Sequence, residues 1–181
     1  MANDELLGMK LTDRCRPIEL ILSDVDGVLT NGGILYNNQG IELKMFHIRD
    51  GLGIKLWQRA GHKFGILTAR TSHIVKVRAA ELGIDIVRQG FETKLPVARD
   101  ILKELRLAPE QVCYIGDDLT DLPVIRHVGL GVAVADAAAE VRAAAAHITK
   151  LPGGQGAVRE VVELILKSQF RWEEIIQTYQ A

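Results

Sequence analysis

Short apolar runs alternate along the chain with amphipathic stretches. Each run is largely uninterrupted by polar residues, which is typical of parallel strands that are buried on both faces. The alternation of such strands with helices predicts an α/β fold with a doubly wound, Rossmann-like parallel sheet. The predicted strands are Leu20–Val25, Lys63–Leu67, Ile84–Val87, Val112–Ile115, Gly131–Val134 and the weaker Ala146–Thr149. The predicted helices are Asp50–Ala60, Ser72–Leu82, Thr93–Leu105, Leu119–Val128, Ala137–Ala145 and Ala157–Gln169.

One segment, residues 32–48, interrupts this alternation. Two strand-like runs flank Asn37-Asn38-Gln39-Gly40, which predicts a β-hairpin inserted after the first strand. Ile41, Leu43 and Met45 fall on one face of its second strand, and Glu42, Lys44 and Phe46 fall on the other. Because an isolated hairpin is marginal in water, the apolar face needs a partner. That partner is the parent domain or another subunit, and the short hairpin favours the subunit.

The length of 181 residues allows one domain with a sizeable core. The hydrophobic content of 48% and the charged content of 25% are ordinary for a globular chain. We expect a poorly ordered leader over residues 1–17, a catalytic domain over 18–169 and an amphipathic tail helix over 170–181.

Several classes of protein are disfavoured by the composition. The net charge of −1 gives no basic field for nucleic acid. No apolar run approaches the roughly 20 residues of a membrane span, and the first residues lack the apolar core of a signal peptide. Cys15 and Cys113 show neither metal-type spacing nor a disulfide framework. These features predict a cytoplasmic protein without a nucleic-acid or membrane partner.

Polar residues follow the predicted strands where ligands bind in an α/β sheet, at the carboxyl ends. Two aspartates follow the first strand, a threonine and an arginine follow the second, a lysine begins the helix after the third, and three aspartates follow the fourth. In chain order these are Asp24, Asp26, Thr68, Arg70, Lys94, Asp117, Asp118 and Asp121.

Clustered carboxylates repel one another and lose hydration, so a hard cation such as Mg²⁺ is expected among them. Thr68, Arg70 and Lys94 are suited to hold an anion beside it, and a phosphate fits. A cation such as Lys94 in the first turn of a helix is unfavourable because it opposes the helix dipole, and a phosphate bound at the same place would offset this. One aspartate then serves as a nucleophile toward phosphorus, and the carboxylate two residues on serves as the acid and base.

Each of these motifs has an ordinary alternative explanation. An Asp-Gly pair after a strand is usually a turn, and Arg70 is more often a solvated loop residue. The argument for a functional site depends on the order of the four motifs along the chain, since all four fall at the carboxyl edge of the predicted sheet.

The motifs "DVDGVLT", "ILTAR", Lys94 and "GDDLTD" resemble those of the haloacid dehalogenase superfamily of phosphatases. The hairpin, "RDGLG" and "GGQGAVRE" more narrowly resemble the 3-deoxy-D-manno-octulosonate 8-phosphate (Kdo-8-phosphate) phosphatase family, from about Ile18 to about Gln169. This resemblance implies the haloacid dehalogenase fold without a large cap domain, and a place in Kdo and lipopolysaccharide biosynthesis. It also implies a homotetramer in which the hairpins assemble the subunits and a neighbour helps to close the active site.

The resemblance also implies roles for individual residues. Asp24 would be the nucleophile and a Mg²⁺ ligand, and Asp26 the general acid and base that binds Mg²⁺ through its backbone carbonyl. Asp117 would be the third ligand, while Asp118 and Asp121 would orient the ligands or Lys94. Thr68 and Lys94 would bind the phosphoryl group. The implied contacts with a small sugar-acid phosphate are His47, Ile48, Arg49, Asp50, Gly51, Lys55, Arg70 and Arg78.

Three observations keep alternatives open. Arg78 is equally suited to a surface ion pair with Glu81 or Asp85. Ala69 stands where the family usually has glycine, and Gln155 stands where it often has arginine, so a positive charge would be missing if that loop reaches a neighbour's site.

The expected function is hydrolysis of Kdo-8-phosphate through an aspartyl-phosphate. The alternatives are the same chemistry on a nine-carbon ulosonic acid phosphate, transfer of the phosphoryl group to an acceptor other than water, and a non-catalytic oligomerisation module. Arg70 modestly favours Kdo-8-phosphate, and the intact acidic cluster argues against a purely structural role.

Overall fold

A computed structural model describes residues 8–180. Six parallel strands form one sheet in the order β5-β4-β1-β6-β7-β8, and β2 and β3 form a separate antiparallel pair. The strands are β1 Leu20–Ser23, β2 Leu35–Tyr36, β3 Glu42–Leu43, β4 Lys63–Thr68, β5 Ile86–Gln89, β6 Val112–Gly116, β7 Leu130–Ala133 and β8 His147–Ile148. The helices are α1 Leu11–Cys15, α2 Ile48–Arg59, α3 His73–Leu82, α4 Lys94–Leu105, α5 Leu122–Ile125, α6 Ala139–Ala144, α7 Ala157–Ser168 and α8 Trp172–Gln177.

The central strand β1 lies between β4 and β6. Leu20 is level with Lys63 on one side and with Val112 on the other, and all four residues of β1 are buried. The chain order reverses direction across β1, so this strand forms the topological switch point at which α/β sheets bind ligands. The predicted doubly wound fold is confirmed, and the carboxyl ends of β1, β4 and β6 are neighbours.

The inserted hairpin is also confirmed, with Leu35 paired to Leu43 across β2 and β3. Its apolar face points away from the domain: Ile41 is 58% exposed and Met45 is 70% exposed. Its polar face points inward, and the Lys44 side chain is only 2% exposed. The parent domain is therefore the partner of the polar face, and the apolar face has no partner within residues 8–180.

The expected poorly ordered leader is wrong for its described part. Helix α1 lies within it, Cys15 is fully buried in the core, and Leu11 packs against that core. The side-chain amide of Gln169 donates a 3.2 Å hydrogen bond to the Arg16 carbonyl, which ties this segment to the end of α7. Residues 1–7 of the expected leader lie outside the described residues.

The expected tail helix is present as α8, and it docks on its own chain. Trp172 is buried, with the Arg159 guanidinium 5.1 Å and the Lys167 ammonium 5.3 Å from its ring centre. Both cations belong to α7, so this contact needs no second subunit. None of the helices within residues 8–180 is long and apolar enough to cross a bilayer.

Candidate active site

The acidic cluster lies where β1 and β6 end beside the start of α4. Asp24 directly follows β1, and its Oδ2 lies 2.8 Å from the Lys94 ammonium. The same ammonium lies 2.6 Å from Asp121 Oδ1. The Lys94 side chain is fully buried, although it begins a helix. Two carboxylates thus compensate a cation that would otherwise be unfavourable both in the interior and at a helix N-terminus.

Asp121 forms hydrogen bonds and an ion pair that fix the positions of the other residues of the cluster. Its Oδ1 also accepts a 2.6 Å hydrogen bond from the Tyr114 hydroxyl, and its Oδ2 accepts from the backbone N–H groups of Asp117 and Asp118, at 2.9 and 3.2 Å. Both oxygens are thereby occupied, so Asp121 orients its neighbours. Sequence reasoning missed Tyr114; the available signal was a tyrosine inside a buried strand, whose hydroxyl needs a polar partner.

A divalent cation fits the oxygen atoms of this cluster. Asp24, Asp117 and Asp121 each offer an oxygen within 4.8 Å of the others. Asp117 Oδ1 is buried and has no hydrogen-bond partner within residues 8–180. Each Asp121 oxygen already has two donors, whereas Asp24 has one on each, from the Val25 N–H and from Lys94. Asp24 and Asp117 are therefore the carboxylates with lone pairs left for a metal. An all-oxygen donor set with one orphaned carboxylate oxygen is what a hard cation such as Mg²⁺ requires.

The electrostatics of Asp24 and Asp117 also favour a positive charge beside these two carboxylates. Burial, together with the charge of Asp121, raises the pKa of Asp24 to about 6 and the pKa of Asp117 to about 8. Lys94 opposes both shifts without cancelling them. A bound cation would replace the protons that these carboxylates otherwise retain near neutral pH.

We therefore expect the stabilisation by Mg²⁺ to grow as the pH rises. Both folded-state pKa values lie above the ordinary value of 3.8, so these carboxylates favour the metal-free fold at low pH and lose that contribution as pH rises through about 6 and about 8. Mg²⁺ binds the deprotonated carboxylates, so at high pH it offsets the stability that their ionisation removes. Thermal unfolding from pH 5.5 to 8.5 should show a Tm increase with Mg²⁺ that is small at pH 5.5 and largest at pH 8.5.

An Asp117→Asn variant provides the control for this pH dependence. It removes the carboxylate with the higher pKa, so the Mg²⁺-dependent increase in Tm should become small at every pH. An increase of equal size from pH 5.5 to 8.5 in the unaltered protein would contradict the prediction.

Gly27 allows the loop after β1 to lie directly against Asp117. Its φ is +93°, and a Cβ at this position would lie 2.0 Å from Asp117 Oδ2. The predicted sharp turn is therefore present, and glycine is required here for a second reason: the carboxylate occupies the space of a side chain.

The glycine-rich loop 153–156 packs on this same turn of its own chain. The Gly154 N–H donates a 2.8 Å hydrogen bond to the Val28 carbonyl, and a Cβ at Gly153 would overlap the Gly27 carbonyl. Gln155, which stands where the family often has arginine, is exposed at the tip of this loop. The loop thus supports the turn after β1 in the active site of its own chain.

Asp26 faces the inward side of the hairpin. The Lys44 ammonium contacts Asp26 Oδ1, and the Arg70 guanidinium donates a 2.8 Å hydrogen bond to Glu42 Oε1. The Ser72 hydroxyl donates to Glu42 Oε2 at 2.6 Å. Sequence reasoning did not identify Glu42, Lys44 or Ser72 as site residues.

The expected substrate-contacting residues are divided among four places. His47, Asp50, Gly51 and Arg78 line one small, mostly apolar cavity, Arg70 lies beside Asp26, and Ile48 and Arg49 are exposed. Lys55 is half-buried on α2.

Two members of the first group make contacts that serve the fold. Asp50 is buried and accepts hydrogen bonds from the N–H groups of Gly156 and Arg159, at 3.2 and 2.8 Å, so it caps α7. Arg78 forms the alternative ion pair with Glu81, at 2.8 Å. Its guanidinium also lies 5.6 Å from the centre of the Phe46 ring.

Thr68 and Asp118 complete the set of expected site residues. Thr68 is buried at the end of β4, next to β1 in the sheet. Asp118 is exposed, and its side chain accepts a 2.7 Å hydrogen bond from the Leu119 N–H. Asp118 therefore shapes its own loop, whereas Asp121 is the aspartate that orients Lys94.

Residues 77–160 match the family model of haloacid dehalogenase-like hydrolases. The chain is 46% identical over 157 residues to the 3-deoxy-D-manno-octulosonate 8-phosphate phosphatase KdsC of Escherichia coli K12, which covers 87% of this chain and 84% of that protein.

Solved structures give the same result. A probable YrbI family phosphatase from Pseudomonas syringae superposes with a TM-score of 0.93 at 48% identity, covering 94% of this chain and 97% of that chain. The 3-deoxy-D-manno-octulosonate 8-phosphate phosphatase of Moraxella catarrhalis, solved with magnesium ion, phosphate ion and KDO, superposes with a TM-score of 0.91 at 41% identity, covering 93% and 97%.

Proposed function

The chain belongs to the 3-deoxy-D-manno-octulosonate 8-phosphate phosphatase family of haloacid dehalogenase-like hydrolases, and from this premise we propose that it hydrolyses Kdo-8-phosphate to Kdo and inorganic phosphate. The observation that carries the proposal is the complete acidic cluster around Lys94, with one carboxylate oxygen left without a partner. A domain that served assembly alone would gain nothing from keeping these repulsive groups buried.

Asp24 is the nucleophile in the proposed mechanism. One of its oxygens forms a bond to phosphorus while the bond from phosphorus to the sugar oxygen breaks, and Asp26 gives its proton to that oxygen as it leaves with the electron pair. Asp26 then takes a proton from water, whose oxygen forms a bond to phosphorus while the bond from phosphorus to Asp24 breaks and the Asp24 carboxylate leaves. The net reaction consumes one water and restores both aspartates.

Two further residues hold the phosphoryl group during these steps. Lys94 presents its ammonium beside Asp24, where negative charge gathers on the phosphoryl oxygens, and Thr68 reaches the same edge from β4. Asp121 keeps the ammonium in place through its 2.6 Å contact. These groups are fixed before the substrate arrives, so little reorganisation opposes the reaction.

Mg²⁺ is the proposed cofactor, held by Asp24, Asp117 and the backbone carbonyl of Asp26. When bound it would supply a positive charge beside these carboxylates, whose pKa values burial raises, and would offset the negative charge of the phosphoryl oxygens. The M. catarrhalis relative was solved with magnesium ion and phosphate ion, which supports this assignment.

The carboxylate of the sugar acid is assigned to the arginine side of the site. Arginine binds carboxylates in bidentate fashion, and the Arg70 side chain is 36% exposed beside Asp26. Its present partner is Glu42, a carboxylate 2.8 Å away, so the guanidinium already lies in a geometry that suits a carboxylate.

Phosphate release from Kdo-8-phosphate, measured with Mg²⁺ and with a chelator, tests the proposal. Other sugar phosphates and a nine-carbon ulosonic acid phosphate form the panel. We expect Mg²⁺-dependent release with kcat/KM on the order of 10⁴ M⁻¹ s⁻¹ or higher for Kdo-8-phosphate and far lower values for the rest.

The other outcomes of this assay separate the alternatives. A preference for the nine-carbon acid would keep the chemistry and overturn the substrate. Absence of release from every compound would favour the oligomerisation module.

We also propose a cytoplasmic homotetramer. The exposed apolar side chains of hairpin residues 34–45, 44–70% exposed in each case, need a cover, and a second copy of the hairpin offers a matching one. Cys15 and Cys113 are free thiols, in keeping with a reducing compartment. Sedimentation equilibrium would contradict the assembly by returning the monomer mass of 19.9 kDa.

A further inference from the structure

The inward face of the hairpin places a buried cation against Asp26. The Lys44 side chain is 2% exposed, and its ammonium contacts Asp26 Oδ1 and lies 3.4 Å from Glu42 Oε1. An ammonium so deeply buried is stable only when carboxylates compensate its charge. The contact between Lys44 and Asp26 is therefore a fixed element of the site.

Glu42 holds the hairpin in this position. It accepts hydrogen bonds from the Arg70 guanidinium at 2.8 Å and from the Ser72 hydroxyl at 2.6 Å. These donors come from the loop between β4 and α3, so the hairpin is bound to the rest of the site by charge-assisted bonds. Lys44 consequently approaches Asp26 from a fixed direction.

The two Asp26 carboxylate oxygens differ in their contacts with the rest of residues 8–180. Oδ1 is held by Lys44, whereas Oδ2 faces Arg70 Nε at 3.7 Å, an ion-pair distance that is too long for a hydrogen bond. An acid must keep one oxygen available for its proton. In this arrangement Oδ2 is that oxygen, and the Lys44 contact fixes the direction in which it points.

We propose that Lys44 is a positioning residue for the reaction: it orients Asp26 so that Oδ2 carries the proton delivered to the leaving sugar oxygen. The inference rests on the proposed function, in which Asp26 is the acid and base. The O–H bond at Oδ2 breaks as the bond from phosphorus to the leaving oxygen breaks, and the proton joins that oxygen. Lys44 itself neither gives nor takes a proton.

The test compares kcat/KM for two substrates that differ in their need for an acid. Kdo-8-phosphate releases an alkoxide that must be protonated, whereas p-nitrophenyl phosphate releases a phenolate that departs unaided. We expect Lys44→Met to lower kcat/KM by about 100-fold for Kdo-8-phosphate and by only a few-fold for p-nitrophenyl phosphate. The KM for Kdo-8-phosphate should stay within a few-fold of the original value, because Lys44 acts on Asp26 and not on the substrate.

Three variants calibrate this result. Asp26→Asn removes the acid and should show the same selective loss, only larger. Lys44→Arg keeps the positive charge and should lose less activity than Lys44→Met. Lys76→Met removes an exposed lysine on α3 and should leave both rates unchanged.

Each remaining outcome counts against a specific assignment. Equal losses on both substrates for Lys44→Met, beside a selective loss for Asp26→Asn, would overturn the positioning role and leave the proposed function intact. Equal losses for Asp26→Asn would overturn the acid role of Asp26 and the inference with it. Thermal unfolding checks every variant; if Lys44→Met does not fold, Lys44→Gln takes its place and must show the same selectivity.

Discussion

Asp24→Asn is expected to reduce phosphate release by about 10⁴-fold or more, with no loss of stability. The amide is not a nucleophile toward phosphorus, so the aspartyl-phosphate cannot form. The fold should tolerate the change because burial raises the pKa of Asp24 to about 6. Ionisation of this buried carboxyl therefore lowers the stability of the metal-free fold, and a neutral amide avoids that loss. Lys94 keeps its second carboxylate partner, Asp121, at 2.6 Å.

Phosphate release and thermal unfolding, measured on the same preparation at pH 8, check both halves of this expectation. Asp85→Asn is the matched control, since Asp85 is exposed and directly precedes β5, at the opposite edge of the parallel sheet from the cluster. It should leave activity and Tm unchanged. Residual activity of Asp24→Asn near the original rate would remove Asp24 from the role of nucleophile.

Gly27→Ala is expected to abolish Mg²⁺ binding at concentrations that saturate the original protein. The added Cβ would lie 2.0 Å from Asp117 Oδ2, so the carboxylate must move away from the position that faces Asp24. The strain of a positive φ lowers the folding stability by only about 1–2 kcal/mol for a residue with a side chain. The larger effect is on metal binding, because a carboxylate ligand is displaced. Calorimetric titration with Mg²⁺ should show no binding, and activity should fall with it.

Gly61→Ala separates the steric effect from the backbone effect. Gly61 has nearly the same φ, +89°, and apart from its chain neighbours no atom of residues 8–180 lies within 4 Å of the place of its Cβ. This variant should lose only the stability that the backbone strain costs, and it should bind Mg²⁺ and turn over substrate as before. Normal Mg²⁺ binding by Gly27→Ala would show that the close approach of Gly27 and Asp117 is dispensable.

The sheet and its functional edge could be predicted because their signals are local. Each parallel strand is a continuous apolar run, and the polar residues that follow the runs must share one edge once the strands align. Asp24, Thr68, Lys94 and Asp117 were placed correctly at that edge by this reasoning alone. Helix ends were less certain: α5 begins at Leu122 rather than Leu119, because Asp118 and Asp121 hold the preceding residues in a turn.

The charged face of the hairpin could not be predicted, because its partners are distant in sequence. Alternation of apolar and polar residues normally places the polar face in water, and here the reverse holds. What buries Lys44 is Asp26, which lies 18 positions earlier in the chain. No pattern within the hairpin contains that information. The same applies to Asp50, whose backbone partners Gly156 and Arg159 lie in a different element.

The packing of loop 153–156 against Gly27 also sets the order in which the site can be completed during synthesis. The nucleophile belongs to the first strand of the sheet, but the turn behind it is supported by the Gly154 N–H and by the backbone of Gly153. Those residues leave the ribosome long after β1, β4 and β6. A nascent chain that has already formed most of its sheet is therefore still without a finished catalytic turn, and hydrolytic activity arises only after residues 153–156 have emerged.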